Sequence, residues 1–411
     1  MRFVKLFVAI IIIIRPTMDL WLDKTIFEYE KYASVNANFV IASIVLFATL
    51  YSFIFPLTIG KRGISSNLFL ILKPFLFFLV FSIITTLFFG LDKVIGIADW
   101  LRLLTVLCFY VLVYVSIKTN SDIKLFIEAV VLSSVIPILI GLYQFFTNTG
   151  TLFWEFNRIR GTFVNPVGFG QFLVLILIST LGLYNLSHGF LKKLSLGWLG
   201  ITLFCLYQTY TRGAWIGALM SFFFLGLVCY RRLLVTFPFI VGILPFLHGF
   251  VERFKSLTSW DITINSLVSR IEVWKAAISM FRENILLGRG LKSQYTMAYN
   301  LIGYKVETHS DYLRVLVETG IIGLFLYLWI IFAGYKLFFR AIKKVKHHPS
   351  YTSYTAMIAI FGGMLTAIVI MSSIDNILTA LVLHYPLWGM GAIVTKILDS
   401  LCREGYESSS C

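Results

Sequence analysis

Apolar runs of about 20 residues recur along almost the whole chain, and they constrain the fold more than any motif does. A helix needs about 20 mostly apolar residues to cross the hydrocarbon core of a bilayer. In lipid the backbone must satisfy its own hydrogen bonds, so tandem runs of this length form helices packed as a bundle. Twelve candidate spans follow, at roughly 4–22, 37–58, 66–89, 97–117, 124–146, 166–187, 194–210, 213–230, 233–250, 315–338, 353–373 and 377–397. Arg15 interrupts the first of them. The run from Met1 to Ile14 resembles a signal peptide, but no small-residue cleavage site follows it and many further spans do. It is read as a retained first helix. The expectation is an all-α integral membrane protein with about twelve transmembrane helices.

Composition agrees. The chain is 58% hydrophobic and only 13% charged, against roughly 25% charged in a soluble domain. That excludes a solvated globular enzyme, a disordered chain and a nucleic-acid-binding domain. The net charge of +15 does not form a phosphate-tracking stripe, because the basic residues sit between apolar runs, where a bilayer explains them. Membrane lipids are therefore expected partners and nucleic acid is not. Cys108, Cys205 and Cys229 lie in or at the ends of apolar runs, and Cys402 and Cys411 in the tail. No loop holds a pair, so neither a disulfide framework nor a zinc site is expected.

Orientation comes from the short connections. With Met1 and Arg2 inside, Lys61 and Arg62, Lys118 and Lys124, Lys192 and Lys193, Arg231 and Arg232, and Arg340 to Lys346 all fall on one side. The opposite connections are poorer in charge, with Asp92 and Lys93 in one and Asp375 and Asn376 in another. Twelve spans with both termini cytoplasmic fit this alternation. Residues 1–250 then carry helices one to nine, 251–311 form a large external loop, 312–397 carry helices ten to twelve, and 398–411 are a cytoplasmic tail. A loop that long is uncommon without a function. Within it Leu267, Ile271, Trp274, Ile278, Phe281 and Ile285 recur at helical spacing, which predicts an amphipathic helix on the bilayer surface or packed on the bundle. Lys73, Arg102, Glu128, Glu318 and Lys336 lie mostly near span ends, where snorkelling accounts for them.

Four external elements place arginine or histidine beside glycine and helix ends. The first is Arg158-Ile159-Arg160-Gly161-Thr162-Phe163-Val164-Asn165-Pro166, with Pro166 placed to open the next helix. The second is the tight turn Thr211-Arg212-Gly213-Ala214, and the third is Arg270 on the amphipathic segment. The fourth is Thr308-His309-Ser310-Asp311-Tyr312, which leads to Gly320 and Gly323. A single arginine at a helix end also serves as an interfacial anchor. Arg212 is the exception, since short external turns are poor in arginine. Guanidinium pairs with phosphate through two parallel hydrogen bonds, and several such groups would stabilise a departing pyrophosphate. The functional reading of His309 is a general base, a task that suits an imidazole. A loop carbonyl could equally satisfy it. Gly320 and Gly323 have the spacing that lets helices approach closely. No acidic metal cluster stands on the external side.

At these residues the sequence resembles the O-antigen ligase and polymerase superfamily of bacterial envelope glycosyltransferases. His309-Ser310, nine further residues and then Gly320-Ile321-Ile322-Gly323 are similar to the ligase signature of His, a small polar residue, nine positions and Gly-x-x-Gly. The Arg160 element and the Arg212 turn are similar to family elements too. The resemblance implies a donor glycan carried on undecaprenyl diphosphate at the outer leaflet of the bacterial inner membrane. An acceptor hydroxyl, on lipid A–core or a similar molecule, attacks the anomeric carbon, and undecaprenyl diphosphate leaves. No metal, nucleotide sugar or other cofactor is implied. By position, Arg160, Arg212 and Arg270 would hold the diphosphate and His309 would activate the acceptor, with Ser310 and Tyr312 beside it in the substrate site. Arg158 lies close enough to Arg160 that either could engage the donor. A polymerase, whose acceptor is another lipid-linked repeat unit of O-antigen, capsule or exopolysaccharide, would need the same groups. The His309 signature favours the ligase. A secondary transporter is the rival of another class. It would show broken helices with polar groups at the midplane and an internal repeat, and the sequence gives no clear sign of either.

Overall fold

The computed structural model describes residues 2–18, 27–29, 33–35, 43–46, 65–153, 156–243, 266–294, 307–346 and 348–403. The helices are α1 (Arg2–Ile14), α2 (Ser66–Phe89), α3 (Lys93–Ser116), α4 (Asn120–Leu132), α5 (Val135–Thr147), α6 (Pro166–Leu186), α7 (Gly189–Gln208), α8 (Arg212–Val228), α9 (Arg231–Ile243), α10 (Ser266–Glu283), α11 (Asp311–Val345), α12 (Tyr351–Met371) and α13 (Leu381–Arg403). Two small antiparallel hairpins join β1 (Phe27–Tyr29) to β2 (Ala33–Val35) and β3 (Thr151–Phe153) to β4 (Phe156–Arg158).

The chain is an all-α multi-pass membrane protein. Among the described residues eight helical stretches are long and apolar enough to cross a bilayer: α2, α3, α4 together with α5, α6, α7, α11, α12 and α13. Helices α1 and α8 are apolar but shorter. Of the twelve expected spans, 37–58 is described only at 43–46 and 233–250 only to residue 243. The expected span at 124–146 is two helices. Ser133 and Ser134 turn their hydroxyls back onto the Val130 and Val131 carbonyls at 2.6 Å, and Pro137 follows, a residue that cannot continue the backbone ladder.

Helix starts follow local chemistry. Asn165 caps α6 by accepting from the Gly168 N–H at 2.8 Å, and Pro166 is the first helical residue, as its position predicts. Thr119 and Asp122 form a capping box on α4. Helices α12 and α13 are buried on nearly all sides and form the centre, while α7 lies at the rim. One end of the bundle is tied by Asp399 of α13, which accepts from Ser65, from Asn67 at 2.9 Å and from Tyr114 at 2.6 Å. At the same end Lys5 pairs with Asp122. The other end gathers the connections that carry the candidate site.

Three expectations are corrected here. The face of α10 that packs on α11 is Ala277 and Met280, set against Val317, with Phe281 of the expected stripe beside them. Ile271, Ile278 and Ile285 of the expected stripe are 47%, 44% and 45% exposed. The segment carries two apolar stripes, and periodicity does not say which one packs. Gly320 does not serve helix–helix approach. Its φ of +67° and ψ of −170° break α11, and a Cβ there would overlap the Leu286 carbonyl. Gly288, with φ +70°, faces the Glu318 carbonyl in the same way. Segment 285–290 thus crosses the break backbone to backbone. Arg289 donates to Val317 at 3.2 Å, Gly290 to Glu318 at 2.8 Å, and Ile321 to Ile285 at 3.0 Å. Finally, Glu318 does not snorkel. It is wholly buried with Arg314 at 3.2 Å, and Arg314 also pairs with Asp99 of α3. Cys108, Cys205 and Cys229 form no disulfide.

Candidate functional site

The four elements read from the sequence meet around the connection between α12 and α13. The first begins in the β3–β4 hairpin. Gln144 of α5 clasps it: its amide oxygen accepts from the Arg160 and Gly161 N–H groups at 2.9 Å each, and its amide nitrogen donates to the Gly161 carbonyl at 3.0 Å. The Ile159 N–H donates to Gln208 at the end of α7 at 3.2 Å. The two arginines separate here. Arg158 is buried and braces the next turn, donating to the Thr209 carbonyl at 2.8 Å and to the Thr211 hydroxyl at 3.1 Å. Arg160 is exposed and donates to the Val164 carbonyl at 3.1 Å.

The turn from α7 to α8 is tight because Gly170 of α6 packs on it. A Cβ there would lie 3.0 Å from the Thr209 hydroxyl and 3.2 Å from Ala214. Tyr210 takes a left-handed backbone, φ +48°, an uncommon conformation for a residue with a side chain. Half-buried Arg212 then opens α8. A Cβ on the adjacent Gly213 would touch Ile374 at 3.9 Å, so the start of α8 lies against the α12–α13 connection.

Helix α10 reaches the same connection. Arg270 donates to the Ile374 carbonyl at 2.9 Å, and Trp274 donates through its indole N–H to the Thr308 carbonyl at 2.7 Å. Burial pushes the Arg270 guanidinium below its usual pKa, and the charge on Asp375 opposes that. His309 follows Thr308 and is also left-handed, φ +51°. A strained backbone of this kind persists only where its surroundings hold it. Here the Thr308 hydroxyl donates to Ser310 at 3.1 Å and to Asn376 at 3.3 Å. Ser310 caps α11, its hydroxyl accepting from the Leu313 N–H at 3.5 Å.

His309 Nδ1 lies 3.2 Å from Asp375 Oδ1. The carboxylate is held by Gln171 of α6, which donates at 2.8 Å, and by the Asn376 N–H at 2.9 Å. Burial disfavours the charged carboxylate. The His309 ring, the Asn376 N–H and the Gln171 amide outweigh that and hold the Asp375 carboxyl below the usual carboxylate range. The imidazole is 39% exposed and the carboxylate 23%, so the pair opens to solvent. Among the described residues no three His, Cys, Asp or Glu side chains gather as a metal-binding group. A small apolar pocket lies deeper in the bundle, lined by Phe78, Tyr327, Val369, Leu378 and Trp388 among others. Neither His309 nor the arginines line it.

The chemistry available is that of an exposed imidazole oriented by a carboxylate, with guanidinium groups on the flanking elements. Residues 197–328 match the family model described as O-Antigen ligase. The resemblance of the chain to the O-antigen ligase superfamily stands on that segment. It includes Arg212, Arg270, His309, Gly320 and Gly323, and it supports a membrane glycosyltransferase of the ligase or polymerase type. No curated protein matches the chain.

Of the residues expected in the site, Arg212, Arg270 and His309 sit around the α12–α13 connection. Ser310 is buried in its cap, and the Tyr312 hydroxyl donates to the Val369 carbonyl at 2.9 Å. Both are committed to partners inside the protein. Sequence reasoning missed Asp375, Gln171 and Trp274. The one available signal for Asp375 was a carboxylate in a short connection between two apolar spans.

Proposed function

We propose that this chain transfers a glycan from a lipid diphosphate carrier to an acceptor hydroxyl, in the manner of an O-antigen ligase. The observation that carries this reading is the His309–Asp375 pair, set in a connection that Arg270 and the start of α8 also touch. With Nδ1–H donated to Asp375, Nε2 keeps its lone pair and faces the task of a base. Asp375 fixes the tautomer and offsets the charge that forms as the ring takes a proton. The acceptor oxygen then bonds to the anomeric carbon, the bond from that carbon to the diphosphate breaks, and the hydroxyl proton passes to His309. The leaving diphosphate carries the new negative charge. Arg212 and Arg270 neutralise it with donors fixed before the reaction. Arg160, being exposed, is the one of the first pair that reaches the donor, while Arg158 braces the turn that carries Arg212. The scheme uses no metal and no other cofactor.

The donor in this reading is an undecaprenyl-diphosphate-linked glycan, and the site faces the periplasm from the inner membrane. The acceptor is lipid A–core or a similar lipid-linked saccharide. Joining of lipid-linked repeat units by a polymerase uses the same groups. The rival reading as a transporter gains one feature, since α11 is broken beside a buried ion network. The carbonyls at the break are taken by the N–H groups of Arg289 and Gly290, so they do not line a substrate path.

The test separates binding from transfer. Purified protein is given lipid-diphosphate-linked glycan extracted from source membranes, with the same membranes supplying the acceptor. Release of undecaprenyl diphosphate reports transfer whichever acceptor is used, and binding is measured with undecaprenyl diphosphate itself. His309→Ala should bind normally and transfer about 10²–10⁴-fold more slowly, the span of a general base. Wild-type transfer by folded His309→Ala overturns the mechanism.

A further inference from the structure

We infer that Asp311 is a positioning residue, which sets the His309–Asp375 pair by gripping both ends of the connection that carries Asp375. The inference rests on the reading of His309 as a base oriented by Asp375. Asp311 is completely buried, two residues after His309. Its backbone N–H donates to the Ser372 carbonyl at 2.8 Å. Its carboxylate accepts from the Ile377 N–H at 3.1 Å and from the Leu378 N–H at 3.0 Å. One residue therefore holds the connection at residue 372 and again at 377–378. Between the two grips lie Ile374, Asp375 and Asn376, which receive Arg270, His309 and Thr308 respectively.

Three features make this a grip and not an incidental contact. Ile377 and Leu378 are buried, and a buried N–H left without an acceptor is destabilising. Only a carboxylate offers acceptors alone, so it can serve both. Arg314, one turn further along α11, interacts with Asp311 by charge and donates to Thr379 at 3.4 Å. Its own position is fixed by Asp99 and Glu318. The buried ion network of α11 thus extends to the residues just beyond the second grip. Asp311, Arg314 and Glu318 are at most 1% exposed while the His309 imidazole is 39% exposed, which is why a role through position fits the network better than a role in the chemistry.

Asp311→Asn tests this. It keeps the backbone grip on Ser372 and the side-chain shape, but it replaces one of the two acceptor oxygens with an N–H₂ and removes the charge that faces Arg314. Rates of undecaprenyl diphosphate release are compared for wild type, Asp311→Asn, Asp375→Asn and the double variant, each matched for folded protein. If Asp311 acts through Asp375, Asp311→Asn alone should slow release about tenfold or more, and adding it to Asp375→Asn should cost nothing further. Binding of undecaprenyl diphosphate should stay within about threefold of wild type. A wild-type rate for Asp311→Asn overturns the inference. So does an equal proportional loss in both backgrounds, because that marks an independent effect. If His309→Ala and Asp375→Asn both transfer at the wild-type rate, the functional reading fails and takes this one with it. If those two are slow and Asp311→Asn is not, only the role of Asp311 falls. Should Asp311→Asn fail to fold, Asp311→Glu, which keeps the charge and moves the carboxylate by one methylene, enters the same cycle with the same outcomes.

Discussion

A guanidinium and an ammonium carry the same charge but not the same geometry. Arg212 opens α8 from a turn held by Arg158 below and Gly170 beside it. A guanidinium fork can hold two phosphate oxygens at once, while lysine is a point charge on a flexible stem. Arg212→Lys should therefore bind undecaprenyl diphosphate yet lose transfer, by on the order of 10²-fold, the scale of one removed oxyanion donor. Transfer within about threefold of wild type would reduce Arg212 to a source of charge. The charged residues at turns and beside glycines were legible in the sequence because each stands out locally: an arginine in a short external turn, a histidine ahead of an apolar span. Asp375 was not legible. Its significance lies in meeting His309 from 66 residues away, and neither spacing nor composition carries that. The same holds for Gln171, which reads as one polar residue on a buried helix.

At the scale of the element, the backbone crossing at Gly320 deserves a direct test, because motif and geometry give it different meanings. A small-residue spacing would tolerate alanine at modest cost. A glycine with φ +67° and ψ −170°, pressed against the Leu286 carbonyl, would not. That region of backbone space is essentially closed to residues with a Cβ, at a cost of order 1–3 kcal/mol before any overlap is counted. Gly320→Ala should lower the melting temperature or the folded yield in detergent. Gly197→Ala, on α7 with nothing within 4 Å of its added Cβ, should leave both unchanged. Equal behaviour of the two variants would mean that the break in α11 does not depend on this glycine. The broken helix also shows where hydropathy stops informing. A continuous apolar run predicts a span and locates α11 well, but it says nothing of a backbone break. Nor does it reveal that Glu318 and Arg314 are buried together and not reaching for the interface. The two stripes of α10 are the same case, since both have helical period and only the neighbour decides between them.

For the whole molecule, sidedness follows from which loops share an end. The hydrogen bonds place the β3–β4 hairpin, the α7–α8 turn, the start of α11 and the α12–α13 connection together. The opposite end holds Ser65, Tyr114 and Asp399. Lys192, Lys193, Arg231, Arg232 and the stretch from Arg340 to Lys346 lie at helix ends that alternate with the site loops along the chain. Short basic loops stay on the cytoplasmic side, and by that rule the site is expected outside. Hydropathy together with loop charge made this alternation readable from the sequence. The long connection between α9 and α11 is external in this scheme, and long loops are exempt from the charge rule, so its own basic residues do not argue against it. A cysteine-free background with one cysteine at Ser256 or at Ser350 decides the matter in intact cells. A membrane-impermeant maleimide should label the first without permeabilisation and the second only after it. The reverse pattern would place His309 and Asp375 in the cytoplasm, where an acceptor delivered to the outer leaflet cannot reach them. It would remove the proposed reaction along with the orientation.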